Sequence, residues 1–346
     1  MIGNRYAKLF LSIFIAQVGS LLLVVDFSNA LSMQRSLIPT SDKAVNTAES
    51  ILAGNVCKFL DRAGIDLDDV ESVEPLDYNG YCNKVYRVNV KTNDEQQHVT
   101  YVSKLYSNAA KIRLGCLSND EDVDRLASDM NIGPKVFFKD SDGIVMDFVE
   151  GVTLTVDQVH GIDNLDLCQK IARCVARLHS IECDRSNGNV LWMTLDKMLN
   201  KINDLPSEEF PGTWSIQKLK SEVSSMKNMI KSLHLQEVMC HGDLKPSNLL
   251  LTPKHNLAVF EEGESVIMID FELSGLNYRG FDVCKLFRTS KTCEHSRNSF
   301  EAFAKSYLRY IEENRPLLGQ DEKLQKNSVK GLVLEARLFE PITVSV

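Results

Sequence analysis

The chain holds two carboxylates and an amide at spacings that suit phosphoryl transfer from a nucleotide. Within Cys240-His241-Gly242-Asp243-Leu244-Lys245-Pro246-Ser247-Asn248-Leu249-Leu250-Leu251, Asp243 can orient an acceptor hydroxyl and take its proton. Asn248, five residues on, can hold a metal. The apolar run Val266-Ile267-Met268-Ile269 then ends in Asp270-Phe271-Glu272, and an aspartate at the end of a buried strand can bind magnesium bridging the phosphates. Each piece alone is weak, because His-Gly-Asp by itself is usually a turn. Two such motifs in this order, separated by a hairpin expected over Leu257 to Phe260 with its turn at Glu261 to Glu264, predict an ATP-dependent phosphotransferase that uses Mg2+.

These loops need elements to position them, and hydrophobic periodicity supplies candidates. Strands are predicted over Val99 to Tyr106, alternating around Lys104, and over Gly143 to Val145. Helical spacing links Leu167, Ile171, Cys174, Leu178 and Ile181, and a second stripe links Ile216, Leu219, Val223, Met226, Ile230 and Leu233. Phe300, Phe303, Tyr307 and Ile311 make a third. These stripes read as core, and His179 reads as a packed helix residue rather than a ligand. Strands in the first part and helices in the second predict an α+β chain of two lobes with the site in the cleft.

After Asp270 the chain continues Phe271-Glu272-Leu273-Ser274-Gly275-Leu276-Asn277-Tyr278-Arg279-Gly280-Phe281-Asp282. Protein kinases carry Asp-Phe-Gly here and a long segment closed by Ala-Pro-Glu, and neither is present. The block instead resembles the choline and ethanolamine kinase family, in which an Ile-Asp-Phe-Glu stretch leads to Asn-Tyr-Arg-Gly-Phe-Asp. The likeness runs from about Glu71 to Arg288.

That resemblance implies a bilobal protein-kinase-like fold, with a β-rich N-lobe over 41–148 and a larger, mainly helical C-lobe over 149–346. It implies Asp243 as base and hydroxyl positioner, His241 as a brace of the loop and Lys245 at the transferred phosphate, with Asn248 and Asp270 holding Mg2+. Asn79-Gly80-Tyr81-Cys82-Asn83-Lys84-Val85 looks like the family's phosphate loop, where Gly80 permits a tight turn of backbone N–H groups and Asn83 follows it. Lys104 would engage the ATP phosphates, anchored by Glu121 in the acidic helix start Asp120-Glu121-Asp122-Val123. Phe148 and Val149, in Met146-Asp147-Phe148-Val149-Glu150-Gly151, resemble the hinge that binds adenine through main-chain groups. The acceptor is expected near Glu272, Asn277, Tyr278, Arg279 and Asp282.

Two departures bear on that acceptor. After Phe281-Asp282 the family usually has Asn-His, a bulky aromatic and then a glutamate, whereas this chain has Lys285, Leu286, Phe287, Arg288 and Thr289, so a pocket carboxylate is lost and two cations enter. Val329 to Phe339 resembles the start of the family's last helical region, yet Glu340-Pro341-Ile342-Thr343 replaces its tryptophan-bearing stretch, and Trp192 and Trp214 lie elsewhere. Lost aromatics weaken a quaternary ammonium more than a primary one, which can hydrogen-bond. Ethanolamine is therefore the first expected substrate and choline the second, and Phe148 to Leu154 and Leu191-Trp192 look closer to the ethanolamine branch. An aminoglycoside-type or protein-kinase-like phosphotransferase and a catalytically impaired nucleotide-binding scaffold are the other readings.

Length and composition fit two ordinary globular cores, with 346 residues, 44% hydrophobic and 25% charged. A net charge of -8 argues against a nucleic-acid partner and suits a cationic small molecule. The nine cysteines include no CxxC pair and read as reduced core thiols, which suggests a reducing compartment. The N-terminus conflicts with that: Arg5 and Lys8 precede an apolar run from Leu9 to Val25, and Ser28-Asn29-Ala30 resembles a cleavage site. Residues 1–40 are expected to be a signal or anchor outside the fold, giving membrane association or organelle targeting, with a cytoplasmic location as the alternative. A homodimer is a further expectation.

Overall fold

Period-two alternation over residues 83–91 and 98–106 builds the first layer of the molecule. The computed structural model describes residues 54–76, 83–92, 98–107, 111, 122–161, 165–203, 216–253, 265–288, 297–314 and 328–343. In it β1 (Val70–Pro75), β2 (Asn83–Lys91), β3 (His98–Tyr106), β4 (Val136–Asp140) and β5 (Gly143–Asp147) form one antiparallel sheet in the order β1-β2-β3-β5-β4. Tyr86, Val88 and Val90 face a helix over 54–62, α1, whose Val56, Phe59 and Leu60 are buried with them in one cluster. Each such side chain contributes about 1.5–3 kcal/mol relative to exposure. Successive side chains alternate faces. The opposite face of the sheet therefore carries Asn83, Val85 and Arg87, directly across from Tyr106, Lys104 and Val102. The alternation thus sets Lys104 on the side away from the N-terminal core.

One helix, α2 (Val123–Asp129), lies between β3 and β4, and the second half is largely helical: α3 (Val156–His160), α4 (Leu165–His179), α5 (Val190–Asn203), α6 (Ile216–Ser232), α7 (Arg279–Phe287), α8 (Arg297–Glu313) and α9 (Val329–Thr343). The three predicted stripes fall on α4, α6 and α8. At the heart of this lobe α4 buries Ile171, Val175 and Leu178 against Phe303 and Tyr307 of α8. Its stripe extends to Ile181, but the helix stops at His179, where Ser180 and Ile181 donate to the carbonyls of Arg177 and Leu178 in a tightened last turn. Ile181 still packs on the core.

Short sheets between these helices hold the loops. β8 (Leu249–Thr252) lies between β6 (Val152–Thr153) and β9 (Ser265–Met268), and β7 (Glu237–Cys240) pairs with β10 (Gly275–Tyr278), all antiparallel. A Cβ on Gly280 would come within 2.8 Å of the Glu335 carbonyl carbon, so α9 closes directly onto the backbone of α7. The Arg279 guanidinium clamps that contact with bonds of 2.8 and 2.6 Å to the two carboxylate oxygens of Glu335. Gly80, Glu121, the 257–264 hairpin, Thr289, Trp214 and residues 1–40 lie outside the described residues. Among the described residues no helix is long and apolar enough to cross a membrane.

Candidate active site

Antiparallel pairing of β8 with β9 brings the two acidic motifs together. Leu249 pairs with Met268, so the residue before β8 and the residue after β9 must meet, and the Ile269 N–H donates to the Asn248 carbonyl at 3.0 Å. Asn248 and Asp270 therefore sit side by side at one end of the ladder. The Asn248 side-chain N–H donates to the Asp243 carbonyl at 2.9 Å, tying the start of the loop to its end. Asp270 has a φ of 71°, a left-handed conformation that costs a non-glycine residue about 1–2 kcal/mol, and it persists because the surrounding contacts hold it.

The loop is braced from inside the core. The imidazole of His241 accepts the Asp243 N–H on Nδ1 at 3.3 Å, which leaves the ring proton on Nε2 to donate to the Ile269 carbonyl at 3.0 Å. His241 thereby links the two motifs. Gly242 has a φ of 79°, and a Cβ there would lie 2.0 Å from the Leu273 carbonyl oxygen, so no other residue fits the crossing of the two loops. Beneath them Asp282 is 0% exposed. Its Oδ1 accepts the Gly242 N–H at 2.9 Å, and its Oδ2 accepts the His241 N–H at 2.6 Å and His179 Nε2–H at 3.2 Å. Burial opposes ionisation of Asp282, but His179 and the His241 imidazole and N–H outweigh it and hold the carboxyl below its usual range. Cys240 lies beside His179 and Asp282 at distances a metal could bridge. Burial pushes its thiol well above the usual value, however, and its S–H donates to the Tyr278 carbonyl, so the cluster is a hydrogen-bonded brace.

Above Asp270 the sheet contributes Lys104, a residue with an 11% exposed side chain. Its ammonium bonds Asp270 and, at 2.7 Å, Oε1 of Glu272, which also accepts the Asn83 amide at 2.6 Å. Burial would lower the Lys104 pKa, yet the two carboxylates raise it. Burial likewise works against Asp270, where Lys104 prevails and the pKa falls, whereas burial and the Asp270 charge raise Glu272. Among the described residues Lys104 is anchored by Asp270 and Glu272, and Glu121 lies outside them. Asp122 and Asp124 at the start of α2 are taken by Lys139 at 2.7 and 2.6 Å, since Lys139 on β4 faces α2.

Asp243 carries a second cation that its sequence neighbours did not announce. Lys245 Nζ lies 2.9 Å from Oδ2, as loop geometry allows, while Lys285 from α7 reaches Oδ1 at 2.7 Å. Burial raises the Asp243 pKa, but Lys285 and then Lys245 overcome it and hold the carboxyl well below the carboxylate range. The signal available in the sequence was the appearance of Lys285 after Phe281-Asp282, three residues on from Asp282 and hence near it on a helix.

The expected acceptor residues divide. Glu272 belongs to the Lys104 network. Asn277, Tyr278, Arg279 and Asp282 are buried, and polar atoms of each are engaged within the core. Asn277 accepts the Tyr278 N–H at 2.8 Å, the Tyr278 hydroxyl accepts Trp192 Nε1–H at 3.0 Å while its ring stacks on Phe339, and Arg279 holds Glu335. At the hinge the Phe148 N–H donates to the Thr100 carbonyl at 3.0 Å and its ring lies under the Arg87 guanidinium, so adenine would have to use other main-chain groups of that turn.

The residues present suit Mg2+. With its N–H engaged, Asn248 offers Oδ1, Asp270 offers a carboxylate, and the buried Oε2 of Glu272 has no hydrogen-bond partner, an all-oxygen set of the kind a hard cation takes.

A family model described as choline/ethanolamine kinase matches residues 77–345. Human choline/ethanolamine kinase is 26% identical over 161 residues, 46% of this chain and 39% of that protein. A probable ethanolamine kinase of Arabidopsis thaliana is 26% identical over 251 residues, 70% of this chain and 63% of its own length. The matched region thus spans less than two thirds of each of these relatives. The structure of a Plasmodium vivax ethanolamine kinase superposes with a TM-score of 0.59 at 19% identity, covering 90% of this chain and 84% of that one, and gives the same kinase-like fold.

Proposed function

This chain belongs to the choline/ethanolamine kinase family, and from that premise we propose that it transfers the γ-phosphoryl group of ATP to the hydroxyl of a small amino alcohol, with ethanolamine ahead of choline. The observation that carries the reading is the meeting of Asp243, Asn248, Asp270 and Lys104, from three separate stretches of chain, in one place. Positioning and charge neutralisation are what a phosphoryl transfer asks of a protein. Asp243 accepts a hydrogen bond from the acceptor hydroxyl and aims its oxygen. With its pKa held low, Asp243 receives the proton late, as the O–P bond forms, which suits a loose transition state that needs little activation of the nucleophile. Lys104 and Lys245 neutralise phosphate oxygens, and Asn83 and Glu272 fix Lys104 in place. Asn248 and Asp270 would hold Mg2+, which when bound neutralises the charge on the phosphates and orients them.

The test is ATP turnover with ethanolamine, choline, an aminoglycoside and a generic protein, each with and without Asp243→Asn. Ethanolamine phosphorylation that falls by about 10²–10⁴ in the variant supports the reading, in line with the contribution of a positioned base. Turnover with protein alone would favour a protein kinase, and nucleotide binding without turnover would favour a scaffold. We extend the proposal to membrane association through residues 9–25 and to a homodimer, which subcellular fractionation and mass measurement in solution test directly.

A further inference from the structure

α7 grips three consecutive residues of the loop that carries the base. Asp282 accepts the His241 and Gly242 N–H groups at 2.6 and 2.9 Å. Lys285, three residues on and so on the same helix face, bonds Asp243 Oδ1 at 2.7 Å. The Asp282 bonds, and those of the Asp243 N–H to His241 and of the Asp243 carbonyl to the Asn248 amide, fix main chain alone. They leave the rotation of the Asp243 carboxyl about its own side-chain bonds unset. Among the described residues three groups reach that carboxyl: Lys285 at Oδ1, Lys245 at 2.9 Å from Oδ2, and the Asn248 amide, which at 3.5 Å from Oδ2 is at the limit of a hydrogen bond.

The two lysines differ in how firmly they can hold it. Lys245 belongs to the loop itself, has a side chain 49% exposed, and is the group that turns to the phosphate oxygens when ATP is bound. The Lys285 side chain is 7% exposed and rises from a helix that is itself pinned, with Gly280 against the α9 backbone and Arg279 on Glu335. A stem enclosed to that degree has little room to turn. We propose that Lys285 is a positioning residue for the base: it holds Asp243 Oδ1 throughout the reaction, so that Oδ2, released by Lys245 as ATP binds, faces the acceptor hydroxyl. This deepens the phosphotransferase reading given above and rests on it. Lys285 acts through Asp243 and touches neither substrate. Its worth lies in geometry, because a misplacement of about 1 Å at a reacting group costs on the order of a hundredfold in rate.

The experiment measures the single-turnover rate of ethanolamine phosphorylation, with enzyme in excess over ATP, and the equilibrium Kd for Mg-ATP. It uses the full chain as wild type, Lys285→Met, Asp243→Asn and the double variant. Lys285→Met is expected to slow the wild type by about 10–100-fold while the Kd for Mg-ATP stays within about twofold. In the Asp243→Asn background the same substitution changes the rate by less than about threefold, since the base it would aim is already gone. A lysine that merely supports the fold slows both backgrounds alike, so equal losses overturn the proposal. A Lys285→Met rate within about threefold of wild type, or a Kd that rises as far as the rate falls, overturns it as well. Where Asp243→Asn is too slow to read, the comparison of rate with Kd decides. Should Lys285→Met fail to fold by thermal unfolding, Lys285→Gln takes its place and the same outcomes apply. Wild-type turnover of no alcohol overturns the phosphotransferase reading and this inference together, whereas ethanolamine turnover that the Lys285 variant leaves intact overturns the role of Lys285 alone.

Discussion

Asp282→Asn tests whether the loop that carries Asp243 is held from the core. The asparagine keeps one acceptor oxygen, which can retain the bonds from the His241 N–H and His179 at 2.6 and 3.2 Å. Its amide nitrogen then faces the Gly242 N–H, which is donor against donor in place of a 2.9 Å bond. A hydrogen bond to a charged group contributes about 1.5–3 kcal/mol, and a buried donor left unpaired costs about 1–3 kcal/mol more, so the substitution removes about 3–5 kcal/mol. At ~2 °C per kcal/mol for a chain of this size the Tm falls by about 6–10 °C, readable by differential scanning calorimetry. The pH dependence has a definite sign. The folded pKa of Asp282 lies below its unfolded value of about 3.9, so its stabilisation is fully present above that value and is lost as pH falls through the folded pKa. The wild-type advantage should be constant above about pH 5 and shrink on acidification below about pH 4. A Tm drop of less than about 1 °C, or a gap that persists unchanged into acid, would refute the idea that this carboxylate carries the loop.

Gly242→Ala must displace the Leu273 carbonyl or the loop itself, and we expect kcat to fall by about 10²-fold with a smaller change in the KM for ATP, measured in the same coupled assay. Lys104→Met leaves Asp270 and Glu272 facing each other without a cation, and costs about 3 kcal/mol on urea unfolding. Because the Lys104 pKa is raised, that difference should hold from above the carboxylate range up to about pH 10, decline as pH rises through the folded value, and also decline in acid as Asp270 and Glu272 protonate. Arg279→Lys cannot span both oxygens of Glu335, so a loss of about 1–2 kcal/mol and faster proteolysis at α9 are expected, and equal cleavage rates would contradict the clamp.

The fold class and the chemistry were legible where the information is local. The stripes on α4, α6 and α8 and the alternation of β3 are periodicities of a single element, which any segment of that composition displays. Asp243, Asn248 and Asp270 could be read together because two paired antiparallel strands must set the ends of their flanking loops side by side. The burial of the polar block Asn277 to Asp282 was not legible, for the opposite reason. Burial decides whether a polar side chain faces a ligand or the core, and the partners that bury these residues, Trp192 and Glu335, lie 86 and 56 residues away.

By itself, then, the sequence determined the elements, the family likeness and the residues proposed to hold a metal, all features of spacing within a few turns of chain. Tertiary structure alone decided which cation meets which carboxylate. Lys104 finds Glu272 across 168 residues and Lys285 finds Asp243 across 42, because electrostatic partners are chosen by proximity after helices and sheet have packed, and no local periodicity encodes that distance.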